Sequence, residues 1–106
     1  MDRISNQVLE ILAEIKLQYI DLSNLGLVTF TRVDVAPDLK TAKIFYSVLG
    51  RKKKDDIINI EINKKRKAFK KYLGKKLHIR YIPDLKFYLD ESFIYGEKIS
   101  KLIKSL

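Results

Sequence analysis

Two β-rich runs around one proline turn constrain this chain more than any other feature. Residues 27–35 read Leu-Val-Thr-Phe-Thr-Arg-Val-Asp-Val, rich in β-branched side chains, and predict a strand. Ala36-Pro37-Asp38 cannot continue it, because Pro37 lacks a backbone donor. Residues 39–48 alternate again, with Ala42, Ile44, Tyr46 and Val48 on one face and Thr41, Lys43, Phe45 and Ser47 on the other. So short a connection makes the pair an antiparallel hairpin. One apolar face then needs a cover, and the rest of the chain must supply it.

The flanking residues do so at helical spacing. Ile4, Val8, Ile11 or Leu12, Ile15 and Tyr19 predict a helix over 3–20, with Asp2 as its N-cap and Ser23-Asn24 and Gly26 as its end. After a basic loop from Gly50, Asp55 or Asp56 is placed to cap a second helix, whose stripe is Ile58, Ile62, Phe69 and Tyr72-Leu73. Position 65 belongs to that stripe but is lysine, which predicts a bend or two short helices. Gly74 is read as its stop. A third strand is expected over 76–89, with Leu77, Ile79, Tyr81, Leu85, Phe87 and Leu89 on one face and Pro83 marking an edge or a bulge. Asp90-Glu91-Ser92 would cap a last helix carrying Phe93, Ile99, Leu102 or Ile103, and Leu106. The order α-β-β-α-β-α describes an α+β domain, a mixed three-stranded sheet with its helices on one face. At 106 residues, with no internal repeat or linker, residues 1–106 are expected to form a single domain.

Function classes narrow by elimination. There is no Cys and one His, His78, so thiolate sites and two-histidine mechanisms are excluded. The four glycines are isolated and form no phosphate loop. The carboxylate pairs Asp55-Asp56 and Asp90-Glu91 stand where helix caps are expected. No enzyme activity, cofactor, metal or small-molecule substrate is therefore expected. The opening Met-Asp-Arg-Ile-Ser-Asn-Gln is not signal-like, and no apolar run approaches the roughly 20 residues that span a bilayer, so the expected location is the cytoplasm.

Charge gives the positive signal. The chain carries 22 Lys+Arg against 13 Asp+Glu, a net +9. Residues 51–76 alone hold twelve bases and three acids, so the whole excess lies in a quarter of the chain. Arg51, Lys52, Lys53 and Lys54 precede the second helix; Lys64, Lys65, Arg66, Lys67, Lys70 and Lys71 fall in its second half; Lys75 and Lys76 follow. A solubility device needs no such segregation, so this segment is read as a polyanion surface, first for nucleic acid. Phe69 and Tyr72 stand at core spacing. The expected contact is therefore with the RNA backbone and its shape, not with splayed bases. Two alternatives stay open, a generic RNA-binding domain and a peripheral module on anionic membranes. Equal affinity for unrelated structured RNAs would mark the first, and flotation with anionic vesicles the second.

From residue 77 the chain resembles the ribosome-binding factor A family. Leu77-His78-Ile79-Arg80-Tyr81-Ile82-Pro83-Asp84-Leu85-Lys86-Phe87-Tyr88-Leu89-Asp90-Glu91-Ser92, then Gly96 and Ile99, is similar to that family's pattern of an Arg-bearing strand, Pro-x-Leu-x-Phe, Asp-x-Ser and Gly-x-x-Ile. Val33 through Asp38-Leu39, Ala42-Lys43-Ile44-Phe45-Tyr46 and Leu25-Gly26 also match. The resemblance implies a KH-like fold of the type II arrangement, α-β-β-α-kink-β-α. It implies a monomeric bacterial factor that binds the free 30S subunit and its 16S rRNA, assists late maturation including 5′-end processing, and matters most in the cold. Lys43 and Arg80 join the twelve bases above as expected RNA-binding residues. The kink falls on Lys65-Arg66-Lys67-Ala68, where this chain has neither the Gly-x-x-Gly of RNA-binding KH domains nor the family's Ala-x-Gly.

Overall fold

The computed structural model describes residues 3–77, 79 and 81–90. Helix α1 (Arg3–Gln18) opens the chain, and a single 3-10 turn (Ser23–Leu25) leads into the hairpin of β1 (Leu27–Val35) and β2 (Thr41–Leu49). Helices α2 (Asp55–Lys64) and α3 (Arg66–Lys76) follow, then β3 (Asp84–Leu89). The sheet order is β1-β2-β3: β1 and β2 are antiparallel, and β3 runs parallel to β2 at the other side. The two helices between β2 and β3 are the crossover that a parallel pair requires. This is the mixed sheet of the type II KH-like arrangement, with α1 packed on β1 and α2 and α3 on β3.

The core lies between that sheet and the helices. Val28, Phe30 and Val33 of β1, Ala42, Ile44, Tyr46 and Val48 of β2, and Leu85 and Phe87 of β3 are all buried. They meet Val8, Leu12 and Ile15 of α1 and Ile58, Ile62, Phe69 and Leu73 of the paired helices. Phe30, Phe69 and Phe87 touch one another with ring centroids 5.2–5.7 Å apart. Val33 restores the alternation of β1 after an irregularity between Phe30 and Arg32, where Thr31 is the extra residue.

Several expectations are corrected. Ile4, in the first turn of α1, is 37% exposed, and Tyr19 is 52% exposed because α1 ends at Gln18 and Tyr19 lies past its last turn. β2 starts at Thr41 rather than 39, since Leu39 takes a positive φ of 61° that closes the turn. Asp55 and Asp56 lie inside the first turn of α2, whose N-cap is Lys54; they favour the helix through its dipole rather than by capping it. Gly74 does not stop the helix, which continues to Lys76. A Cβ at Gly74 would stand 3.3 Å from Ile82 Cγ1, so glycine lets the returning chain pass close to α3. Residues 77 and 81–83 are not strand. Leu77 is buried as the α3 cap, Tyr81 is 70% exposed, and Pro83 confines the ladder to Asp84 onward. Asp2, His78, Arg80 and the expected last helix, with its cap at Glu91-Ser92, lie outside the described residues.

Candidate nucleic-acid interface

The break between α2 and α3 organises the basic segment. Lys65, with φ −96° and ψ 3°, ends α2 and begins α3, while Arg66, Lys67 and Ala68 are already in the first turn of α3. The single non-helical residue is the lysine that interrupts the apolar stripe. Burying it would cost far more than the lost helix continuity. No side chain caps α3, and its first turn holds cations and no acid, which opposes the helix dipole. Such an end is poorly arranged for helix stability and well arranged for an anion.

Polar side chains fix this break against β3. Asn63, two residues before Lys65, donates from Nδ2 to the Phe87 carbonyl at 3.1 Å, and its Oδ1 accepts from the Phe87 amide at 2.9 Å. One side-chain amide thus replaces the neighbouring strand that edge strand β3 lacks there. Asn59 Nδ2 donates to the same carbonyl at 3.1 Å and to the Tyr46 hydroxyl at 3.0 Å. Burial pushes the Tyr46 phenol above its ordinary value, with the Asn59 hydrogen bond acting in the opposite direction.

Beside this anchor runs a groove of about 520 Å³ between β2, β3 and α3. Lys43 and Lys86 come from the sheet and Arg66, Lys67 and Lys70 from α3, with Tyr88 along it. Arg66, Lys67 and Lys86 also line a second hollow that reaches Asn63 and Lys64. Asp84 is the groove's acid; Lys70 Nζ lies 2.6 Å from its Oδ1. That hydrogen bond and the Lys70 charge, helped by Arg66, hold the exposed Asp84 carboxyl below its usual value.

Of the expected binding residues, Lys43, Arg66, Lys67 and Lys70 share this groove and Lys64 lines the adjoining hollow, whereas Lys65, with Lys52, acts on the Asp21 carboxyl. The rest are distributed elsewhere. Arg51 pairs with Asp55 at 2.7 Å, and Lys52, Lys53 and Lys54 stay at the opposite end of α2, about 15 Å away along its axis. Lys71 is exposed on α3, Lys75 lies over the Tyr72 ring, and Lys76 pairs with Glu14 at 3.2 Å. Phe69 is fully buried, whereas Tyr72 stacks on Tyr19 with centroids 4.6 Å apart. Sequence reasoning missed Lys86, Tyr88, Asn59 and Asn63. The alternation Leu85-Lys86-Phe87-Tyr88 put Lys86 and Tyr88 on one face of β3, but which strand lay beside that face was not readable.

Comparison with known proteins agrees with this architecture. The family model described as Ribosome-binding factor A matches residues 1–103. A ribosome-binding factor A of Syntrophobacter fumaroxidans is 34% identical over 107 residues, covering 99% of this chain and 92% of that protein. The crystal structure of ribosome-binding factor A from Thermus thermophilus superposes with a TM-score of 0.69 at 17% identity, over 81% of this chain and 91% of that one. A homology model of the Thermus thermophilus factor, fitted into a cryo-EM map of its complex with the 30S subunit, gives a TM-score of 0.68 at 16% identity, over 87% and 97% of the two chains.

Proposed function

The chain belongs to the ribosome-binding factor A family, and on that premise we propose that it binds the free 30S subunit through 16S rRNA. In this reading it assists late maturation of that RNA, including its 5′ end, and matters most in the cold. The relative fitted into a map of a 30S complex supports the choice of subunit. The observation that carries the RNA contact is the groove, where five cations from β2, β3 and α3 face Asp84, itself engaged by Lys70. Phosphates lying along it displace counterions, so binding weakens steeply with salt, by a slope of about 0.7–0.9 per phosphate contacted. The groove's lining is cationic and aromatic, and its chemistry is positioning. Among the described residues no helix is long and apolar enough to cross a membrane.

Sucrose-gradient sedimentation of tagged protein from lysate tests the reading. At low salt the protein should travel with free small subunits, and absence from that peak overturns the proposal. Changing Lys64, Lys65, Arg66 and Lys67 together to Glu should remove co-sedimentation while leaving the melting profile near wild type, since Lys64, Arg66 and Lys67 are exposed, Lys65 is only partly buried, and substitutions at exposed positions cost little. A folded variant that still travels with the subunit would place the contact on another face.

A further inference from the structure

Tyr88 stands where no motif announced a function. It pairs in register with Phe45 across β2 and β3, and the two rings lie 5.8 Å apart at 31°. Both alternate with the core residues Ile44, Tyr46 and Phe87, so both project from the sheet face opposite α1, α2 and α3. Cross-strand aromatic pairs often do no more than stabilise a sheet. This pair differs in its surroundings. The ammonium groups of Lys86 and Lys43 lie 5.4 and 6.0 Å from the Tyr88 centroid, the Arg32 guanidinium is 4.1 Å over Phe45, and Tyr88 lines the cationic groove. Acids are present: Asp34 lies 3.7 Å from Arg32, and Asp84 is held by Lys70. Lys43 and Lys86 remain beside the ring, and Arg66 and Lys67 line the same groove from α3.

A π-face bordered by cations on two walls matches a ligand that alternates a flat base with an anion. A base inside a duplex hides its face in the stack, so the ligand is single-stranded. We propose that Tyr88, backed by Phe45, is the stacking seat for one unpaired RNA base, with the flanking phosphates on Lys43 and Lys86 of the sheet and Arg66 and Lys67 of α3. This rests on the RNA-binding reading above and deepens it. Backbone contact along the groove is thereby joined by one base contact.

The test uses the full chain and three probes: a uridine oligoribonucleotide of about eight nucleotides, an abasic strand of equal length and charge, and a blunt RNA duplex. Wild type should bind the uridine strand about tenfold tighter than the abasic one, the worth of one base–aromatic stack. Tyr88→Leu should bind both strands equally at the abasic level, and Tyr88→Phe should restore the preference. The chain has no Trp, so Tyr88→Trp supplies a lone reporter whose emission should be quenched by the uridine strand and not by the abasic one. Equal binding of both strands by wild type overturns the seat, as does a preference that survives in Tyr88→Leu or an unquenched tryptophan. In each of these cases duplex binding would leave the groove reading standing. Failure to bind any of the three RNAs overturns both.

Discussion

Asn63 offers the sharpest test of how the groove is held. Changing it to Ala removes the side chain that both donates to and accepts from the backbone of Phe87, and with it a bond to the Asn59 carbonyl at 2.9 Å. The Phe87 carbonyl keeps Asn59, but the Phe87 amide loses its acceptor at a partly buried site. An amide left unsatisfied there costs about 1–3 kcal/mol, so Asn63→Ala should lose about 2 kcal/mol from a fold whose total is about 5–15 kcal/mol. For a domain of this size that lowers Tm by about 10 °C. Urea and thermal melts followed by circular dichroism read the loss, and amide exchange at Phe87 localises it. Asn63→Asp is the matched control. It keeps the acceptor for the Phe87 amide but turns a second oxygen toward the Phe87 and Asn59 carbonyls. That carboxyl is raised above its unfolded pKa, so the variant is weakest at neutral pH and recovers, relative to wild type, as pH falls toward about 4. An Asn63→Ala protein within about 0.5 kcal/mol of wild type, with unchanged exchange at Phe87, would refute the reasoning.

Other consequences are as direct. Asp84→Asn removes the groove's acid and frees Lys70, so RNA affinity should rise severalfold at low salt, measured by fluorescence anisotropy, and the gain should vanish at high salt. Gly26 has φ +125° and a Cβ there would stand 2.8 Å from the Gly50 carbonyl oxygen, so Gly26→Ala should cost more than about 2 kcal/mol in a urea melt. The Tyr46 phenol is raised by burial from its ordinary 10.0, so its contribution to stability is complete below that pH and falls as pH rises above it. Melts between pH 9 and 11 should show a loss that is smaller in Tyr46→Phe than in wild type.

How far the sequence could be read depends on the range of the cause. The limits of β1, the face of Ala42, Ile44, Tyr46 and Val48, and the helix break at Lys65 all follow from local pattern, and the structure has each. Leu77, Ile79 and Tyr81 alternate as a strand would, yet the chain there is the return from α3, made close by Gly74, and no local signal separates the two. Asn59 and Asn63 carry no local signal, because their partner, the outer edge of β3, exists only once β3 lies beside β2. The cations were legible as a class but not as a site. The sequence set Arg51–Lys54 before the helix and Lys64–Lys67 in its second half, but not that Arg66, Lys67 and Lys70 would share a groove with Lys43 and Lys86 of the sheet.

The topology also sets an order of assembly. β1 and β2 meet across a five-residue connection, but β3 must close a loop of some forty residues before Asp84 pairs with Thr41. Loop closure of that length taxes the last strand most, so the hairpin forms early and β3 docks late. Two of the groove's cationic and aromatic side chains, Lys86 and Tyr88, belong to that late strand. RNA lying from Lys43 across to Arg66 would therefore act as a clasp, tightening the fold at the seam where it closes last.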